Sequence, residues 1–426
     1  MKRRGSPGIL VLLTLLLVPA LAVLAAGQKE AGPVKLVIAG RDGVYGDAMQ
    51  YAADAYVQQH PNVSFDVLKL PYNTQYEKVV IDMRSGTGSY DLIMIDDPNA
   101  PQFQKAGWLA DLGAMLKQKG MSLSPDFVET TVRLCRYPYS DSGTLYALPH
   151  VGNVEMFAYR KDLFQSYSLP DPSSWDNVLA AAQKLSRVDT GVTPVVFRGV
   201  KGNPIVSGFL PMYWAFGARI LVEDKPQLDS AQALKALQFF LQLKQYAPEG
   251  VDTWNTAQVR DALYSGRAAV ATEVWPSWVG DLENPEKSQV VGKVTIATPP
   301  GQVDKSSPVL GAWLLGIPKA SKYQDASFAF LLFVTDTQMQ TELADNFGLA
   351  PTRASVLQDA QLIKKFPWFP AEAEALKNAM ARPRTNKWPE IESNFGTYLQ
   401  LALIGSMGAA EALKATNEKV AEIMQQ

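Results

Sequence analysis

The sequence predicts an α/β fold built as two domains, each a sheet flanked by helices. Three observations predict it. Strand and helix patterns alternate over the first hundred residues in the rhythm of a parallel sheet with helices on both faces. The chain has 426 residues, too many for one compact core. Its single cysteine, Cys135, cannot form an internal disulfide, so the fold must stand on apolar burial alone.

The elements follow in order. Lys2, Arg3 and Arg4, then the apolar run Ile9 to Val18, Pro19 and the small residues Ala20, Ala22, Ala25, Ala26 and Gly27 have the layout of a secretory signal. It is expected to span 1–27 and to be cleaved after Ala25 or Gly27. An uncleaved anchor is the competing reading, since about 20 apolar residues span a bilayer. No cysteine ends the apolar run, so no lipid-modified N-terminus is available, and no second long apolar run follows. Val34 to Ala39 reads as a buried strand. Asp47 to Gln59 carries apolar residues at helical spacing and stops at His60-Pro61-Asn62. Val63 to Leu70 alternates as a strand, Tyr76 to Arg84 returns to helix, and Asp91 to Ile95 is a short apolar strand closed by Asp96-Asp97-Pro98. Ligands gather at the C-terminal ends of strands in such sheets. Arg41 to Tyr45, Tyr72-Asn73 and Asp96-Asp97 fall there.

A second βα region begins beyond Pro149. It has strands at Glu155–Arg160, Thr193–Phe197, Ala268–Thr272 and Lys293–Ala297. Ser174 is the expected N-cap of a helix running to Leu185. Helices are expected at Ile205–Trp214, Ser230–Tyr246 and Thr256–Tyr264, and again at Asp325–Val334, Thr337–Asn346, Ala371–Ala381, Ile391–Gly405 and Ala409–Met424.

Two tryptophan segments carry the functional signal: Glu273-Val274-Trp275-Pro276-Ser277-Trp278 and Gly311-Ala312-Trp313-Leu314-Leu315-Gly316. Gly, Pro and Ser beside each indole suggest loop tips, where a flat ring can stack on the C–H face of a sugar. Core packing is the ordinary alternative for any one indole.

What is missing narrows the chemistry. The two histidines, His60 and His150, lie far apart, which excludes a His-rich metal site. There is no Gly-x-Ser-x-Gly, no phosphate loop, no Gly-x-Gly-x-x-Gly and no Cys-x-x-Cys, so neither a cofactor nor a catalytic nucleophile is expected. The formal net charge of −2 becomes about −5 once Lys2, Arg3 and Arg4 are removed, with no basic stripe. Nucleic acid and anionic membrane are therefore not expected partners.

The pieces Tyr90-Asp91-Leu92-Ile93-Met94-Ile95-Asp96, Gly107-Trp108-Leu109-Ala110-Asp111-Leu112, Tyr146-Ala147-Leu148-Pro149, Phe157-Ala158-Tyr159-Arg160-Lys161-Asp162, Pro172-Ser173-Ser174-Trp175, Ser265-Gly266-Arg267-Ala268-Ala269, Gly311 to Lys319 and Gly348-Leu349-Ala350-Pro351-Thr352-Arg353 stand in one order. With that set, the chain resembles the family 1 extracellular solute-binding proteins of ABC importers, which include maltose- and polyol-binding members. The resemblance covers nearly the whole mature chain. It implies a two-lobe periplasmic-binding-protein fold, with a ligand cleft at a hinge crossed near Val151, Leu310 and Ala350. The implied lobes are 28–151 plus 310–350 and 152–309 plus 351–426.

The resemblance also implies a function. An interlobe cleft captures a neutral carbohydrate and the closed protein engages the permease transiently, in the periplasm and as a monomer. By the same resemblance the first-lobe carboxylate is Asp96 or Asp97, and Trp275 and Trp313 stack on the ligand with Glu273 as acceptor. Tyr45 and Asn73 are further candidates at strand ends. Asn153 and Glu155 lie just past the first crossing, and Arg353 past the third. Trp278 could bind or anchor its helix. Trp388 is a lesser candidate, and Tyr213 and Trp214 are expected to pack. Two competing readings are an exported carbohydrate-active enzyme, which needs two carboxylates about 5–10 Å apart, and the same fold binding a polyamine or glycerophosphodiester.

Overall fold

A computed structural model of the chain describes Met1 and residues 32–189, 191–306 and 308–426. The expected signal segment falls outside them. Two separate mixed sheets organise these residues. In the first, Val34–Arg41 is flanked by parallel Val63–Leu70 and Leu92–Asp96. Antiparallel Trp313–Gly316 follows beside Leu92–Asp96, and Ala147–Val151 completes the sheet. In the second, Met156–Arg160 lies between Val294–Ala297 and Ala268–Val274, and Thr193–Val196 closes the far edge.

The central strand Leu92–Asp96 is buried at every residue, as expected of a continuous apolar run covered on both faces. The helix ends obey local chemistry. The Ser174 hydroxyl caps Trp175–Val188 by accepting from the Asn177 amide, and the Asp111 carboxylate caps Leu112–Gln118 by accepting from Ala114.

Several elements differ from the sequence reading. The second helix begins at Tyr72, directly after Pro71, so Tyr72 and Asn73 form its first turn and not a loop. Proline fixes its own φ and precedes the helix without needing to donate, which favours that start. Trp313 is not at a loop tip. It opens a central strand, paired with Asp96 on one side and Val151 on the other. The helix expected over Ala371–Ala381 runs from Phe369 to Asn378, and Met380–Ala381 turns into extended chain beside Val309–Leu310.

The stretches around the three expected crossings run together. Gly152 N–H donates to Ala350 O at 2.8 Å, Gly311 N–H to Asn153 O at 3.0 Å, and Val154 bridges Leu310. The segment 351–426 divides between the sheets. Ser355 is bound to Asp126, and Ala354–Leu357 packs on Thr337–Phe347, so this part belongs with the first sheet. Helix Phe369–Asn378 lies between the lobes, against Glu129–Leu134 and Val294–Ala297. Trp388–Leu403 and Ala409–Gln425 pack on second-lobe helices Asn203–Ala215 and Ala231–Lys244. Between these two groups lies the stretch near 379–388, after Ala354–Leu357 has packed on Thr337–Phe347 and before Trp388–Leu403 packs on Asn203–Ala215.

Candidate functional site

A cleft of about 620 Å³ opens between the two sheets, within the usual size range of small-molecule sites. The first-lobe wall is made at the strand ends. Arg41 ends Val34–Arg41, Asp96 ends Leu92–Asp96, and Trp313 begins the antiparallel neighbour at the same level. Tyr45 and Asn73 come from the first turns of the helices that follow. The opposite wall carries Arg198, Asn203, Trp275, Trp278 and Glu392, and the floor carries Asn153, Gly311 and Arg382.

Six expected site residues therefore line one cavity: Tyr45, Asn73, Asp96, Asn153, Trp275 and Trp313. Tyr45 and Tyr72 flank the Trp313 ring, at centroid distances of 5.6 and 6.1 Å, and the Arg41 guanidinium lies 5.7 Å from it. Trp275 stands 6.1 Å from Trp278 and closes over the Gly311 backbone. Its indole N–H is buried and finds no protein acceptor. Buried indole N–H groups ordinarily find a partner. Asn153 ties the lobes. Its amide donates to the Tyr45 hydroxyl at 2.9 Å and its oxygen accepts from the Ser277 hydroxyl at 2.8 Å.

Three expected residues do not line the cavity. Asp97 is fully buried behind its neighbour and accepts from Arg382 at 2.7 Å and Arg384 at 3.1 Å. Burial pushes its carboxyl up to about 6, against the pull of the two guanidiniums. Glu273 is also fully buried, forked onto Arg198 at 2.9 and 2.8 Å. Arg353 lies elsewhere: its Nε and Nη2 donate to Thr335 O, and its guanidinium covers the Phe127 ring. Trp388, Tyr213 and Trp214 are buried in the core. So is Glu155, with neither carboxyl oxygen bonded.

Sequence reasoning missed Arg198, Arg382 and Glu392, and placed Tyr72 at a strand end without giving it a role. Tyr72 donates to Asp96 at 2.6 Å, while Arg382 reaches Asp96 at 3.4 Å and Glu392 at 3.9 Å. Arg382 thus touches acids of both lobes. The signal for Tyr72 was its place at a strand end. Arg382 and Glu392 had none, since nothing local marks a residue that chain crossing brings to the cleft.

Residues 42–341 match the profile of the bacterial extracellular solute-binding protein family. The chain belongs to that family. This solute-binding protein is the capturing component of an ABC transporter and not an enzyme, which removes the carbohydrate-active-enzyme reading. It is 28% identical over 405 residues to a mannitol-binding protein of Pseudomonas aeruginosa, covering 88% of this chain and 90% of that one. Among solved structures it is similar to maltose-bound MalE3 of T. maritima, with 26% identity, a TM-score of 0.82, and coverage of 91% and 99% of the two chains. It is similar too to a ribitol-bound ABC transporter solute-binding protein of Agrobacterium radiobacter K84, with 25% identity, a TM-score of 0.85, and coverage of 92% and 99%. Among the described residues no helix is long and apolar enough to cross a membrane.

Proposed function

We propose that this solute-binding protein captures a neutral polyol or small sugar in its interlobe cleft and presents it, as a closed monomer, to a permease. The observation that carries the proposal is the meeting of Trp275 and Trp313 on one cavity that Asp96, Asn73 and Asn153 also line. Indole faces suit the C–H surfaces of a sugar or polyol chain, and the carboxylate and amides suit its hydroxyls. The mannitol, ribitol and maltose of the three relatives support that class. Asp96 is the first-lobe acceptor in this reading, and Tyr72 and Arg382 hold it in place. Only the ligand's preference for the closed arrangement drives closure. The basic, then apolar, then small-residue N-terminus supports export to the periplasm.

Calorimetric titration of the mature protein with D-mannitol, ribitol and maltose tests this. At least one should bind, and Trp275→Ala and Trp313→Ala should each weaken the best ligand about tenfold or more, about 1.4 kcal/mol. Unchanged affinity in both variants would refute the site.

A further inference from the structure

Arg198 reaches the cleft in an unusual electrical state. Its Nε and Nη2 fork onto the two Glu273 oxygens, its backbone N–H donates to Oε1 at 3.1 Å, and Nη2 also donates to the Ser207 hydroxyl. The guanidinium lies 4.7 Å from the Trp278 ring centroid. Gly208 makes room for this pair, since a Cβ there would stand 2.5 Å from a Glu273 oxygen. The side chain is only 5% exposed, yet it lines the cavity, and among the described residues Nη1 has no hydrogen-bond partner. One donor is therefore held rigid and bare.

We propose that Arg198 is the second lobe's hydroxyl-selective donor, positioned and neutralised by Glu273, and that the pair discriminates against anionic ligands. The inference rests on the neutral-ligand reading above and deepens it. A carboxylate takes strength from an unspent cation, but the Arg198 charge is already spent on a buried partner. A ligand carboxylate at Nη1 would come close to Glu273 and share the cavity with Asp96, with its own hydration lost. A hydroxyl oxygen accepts from Nη1 and brings no charge. Glu155 does not alter the balance. It is fully buried, and burial and the Glu273 charge raise its carboxyl well above the usual range. The other lining cations are Arg41, bonded to the Asp42 carboxylate and Leu70 O, Arg382, paired with Asp96 and Asp97, and Lys201, exposed at the rim where water and salt screen it.

The test compares D-mannitol with D-gluconate, a six-carbon polyhydroxy acid that differs from it in configuration at C2 and in carrying a carboxylate, by calorimetry at neutral pH. Wild type should prefer mannitol. Glu273→Gln leaves Arg198 charged and unpaired, and should shift the mannitol-to-gluconate preference at least tenfold toward gluconate. A purely structural Glu273 would lower both affinities together and leave the ratio unmoved. The double variant R198M/E273Q removes both charges, a replacement that buried ion pairs often tolerate. It should bind mannitol about tenfold more weakly and gain nothing for gluconate. Mannitol binding by wild type, with an unmoved ratio in Glu273→Gln and full affinity in the double variant, overturns this inference alone. Wild-type preference for gluconate, or no binding of mannitol, ribitol or maltose, overturns it together with the reading beneath it.

Discussion

Arg353 shows how a residue's role is set by what lies within reach of its side chain. Past the third expected crossing it looked free to fork onto a ligand. Its guanidinium instead closes the C-terminal end of Gln324–Val334, donating to Thr335 O at 2.8 and 2.6 Å while lying 3.5 Å from the Phe127 ring centroid. A charge-assisted bond of this kind and a desolvated cation–π contact are each worth about 1–3 kcal/mol. Arg353→Met should therefore cost about 2 kcal/mol in urea unfolding and leave the mannitol affinity within about twofold of wild type. The opposite pattern, lost affinity with full stability, would return Arg353 to the cleft. Glu273 makes the same point. Its place two residues before Trp275 suggested a ligand acceptor, but it lies within the fully buried strand Ala268–Val274 while Trp275 follows the strand's end. Glu273 points into the second lobe, where Arg198 meets it.

At the scale of elements, the parallel strands were legible because each is a short apolar run closed by turn residues, and their ends fixed where Tyr45, Asn73 and Asp96 would gather. The Trp313 strand was not legible as one. Gly311 and Ala312 precede it and Gly316 ends it, which resembles a loop until its neighbours are known. The strand form holds because Asp96 and Val151 pair with Trp313 from both sides. Gly311 is small for a tertiary reason: a Cβ there would stand 2.1 Å from Cζ3 of Trp275 and 2.4 Å from Cη2. Its amide is held by Asn153 O, so the ring must yield before the backbone does. Gly311→Ala should swing Trp275 off its seat, lowering affinity about tenfold, about 1.4 kcal/mol, and altering the tryptophan emission. Gly408→Ala, with no atom within 4 Å of the added carbon, serves as the control and should change neither. Normal binding by Gly311→Ala would mean that the position of Trp275 is not needed.

For the whole molecule, the sequence order of the strands carried the two-sheet plan, but the late passage near 379–388 did not show. It depends on what the helices from Ala354 to Asn378 pack against, a question of contacts between distant segments. That passage delivers Arg382 between Asp96 and Asp97 on one lobe and Glu392 on the other. The junction has a pH signature. Burial pushes the Glu392 carboxyl up to about 7, opposed by Arg382, and Asp97 up to about 6. In the unfolded chain such groups ionise near pH ~4. Between those limits the native protein holds more protons than the unfolded chain, so these groups make stability fall as pH rises from about 4.5 to about 7, and contribute no further slope above it. Glu392→Gln keeps an acceptor for the Asn203 amide, which donates to Oε1 at 3.0 Å, and cannot ionise. Wild type should therefore lose melting temperature relative to Glu392→Gln across that window, and the gap should level off above it. Differential scanning calorimetry of both proteins in steps from pH 4.5 to 8, without ligand, measures the gap. A gap that stays constant with pH would mean that Glu392 ionises in the native protein as it does in the unfolded chain, and that Arg382 holds it as an ordinary ion pair.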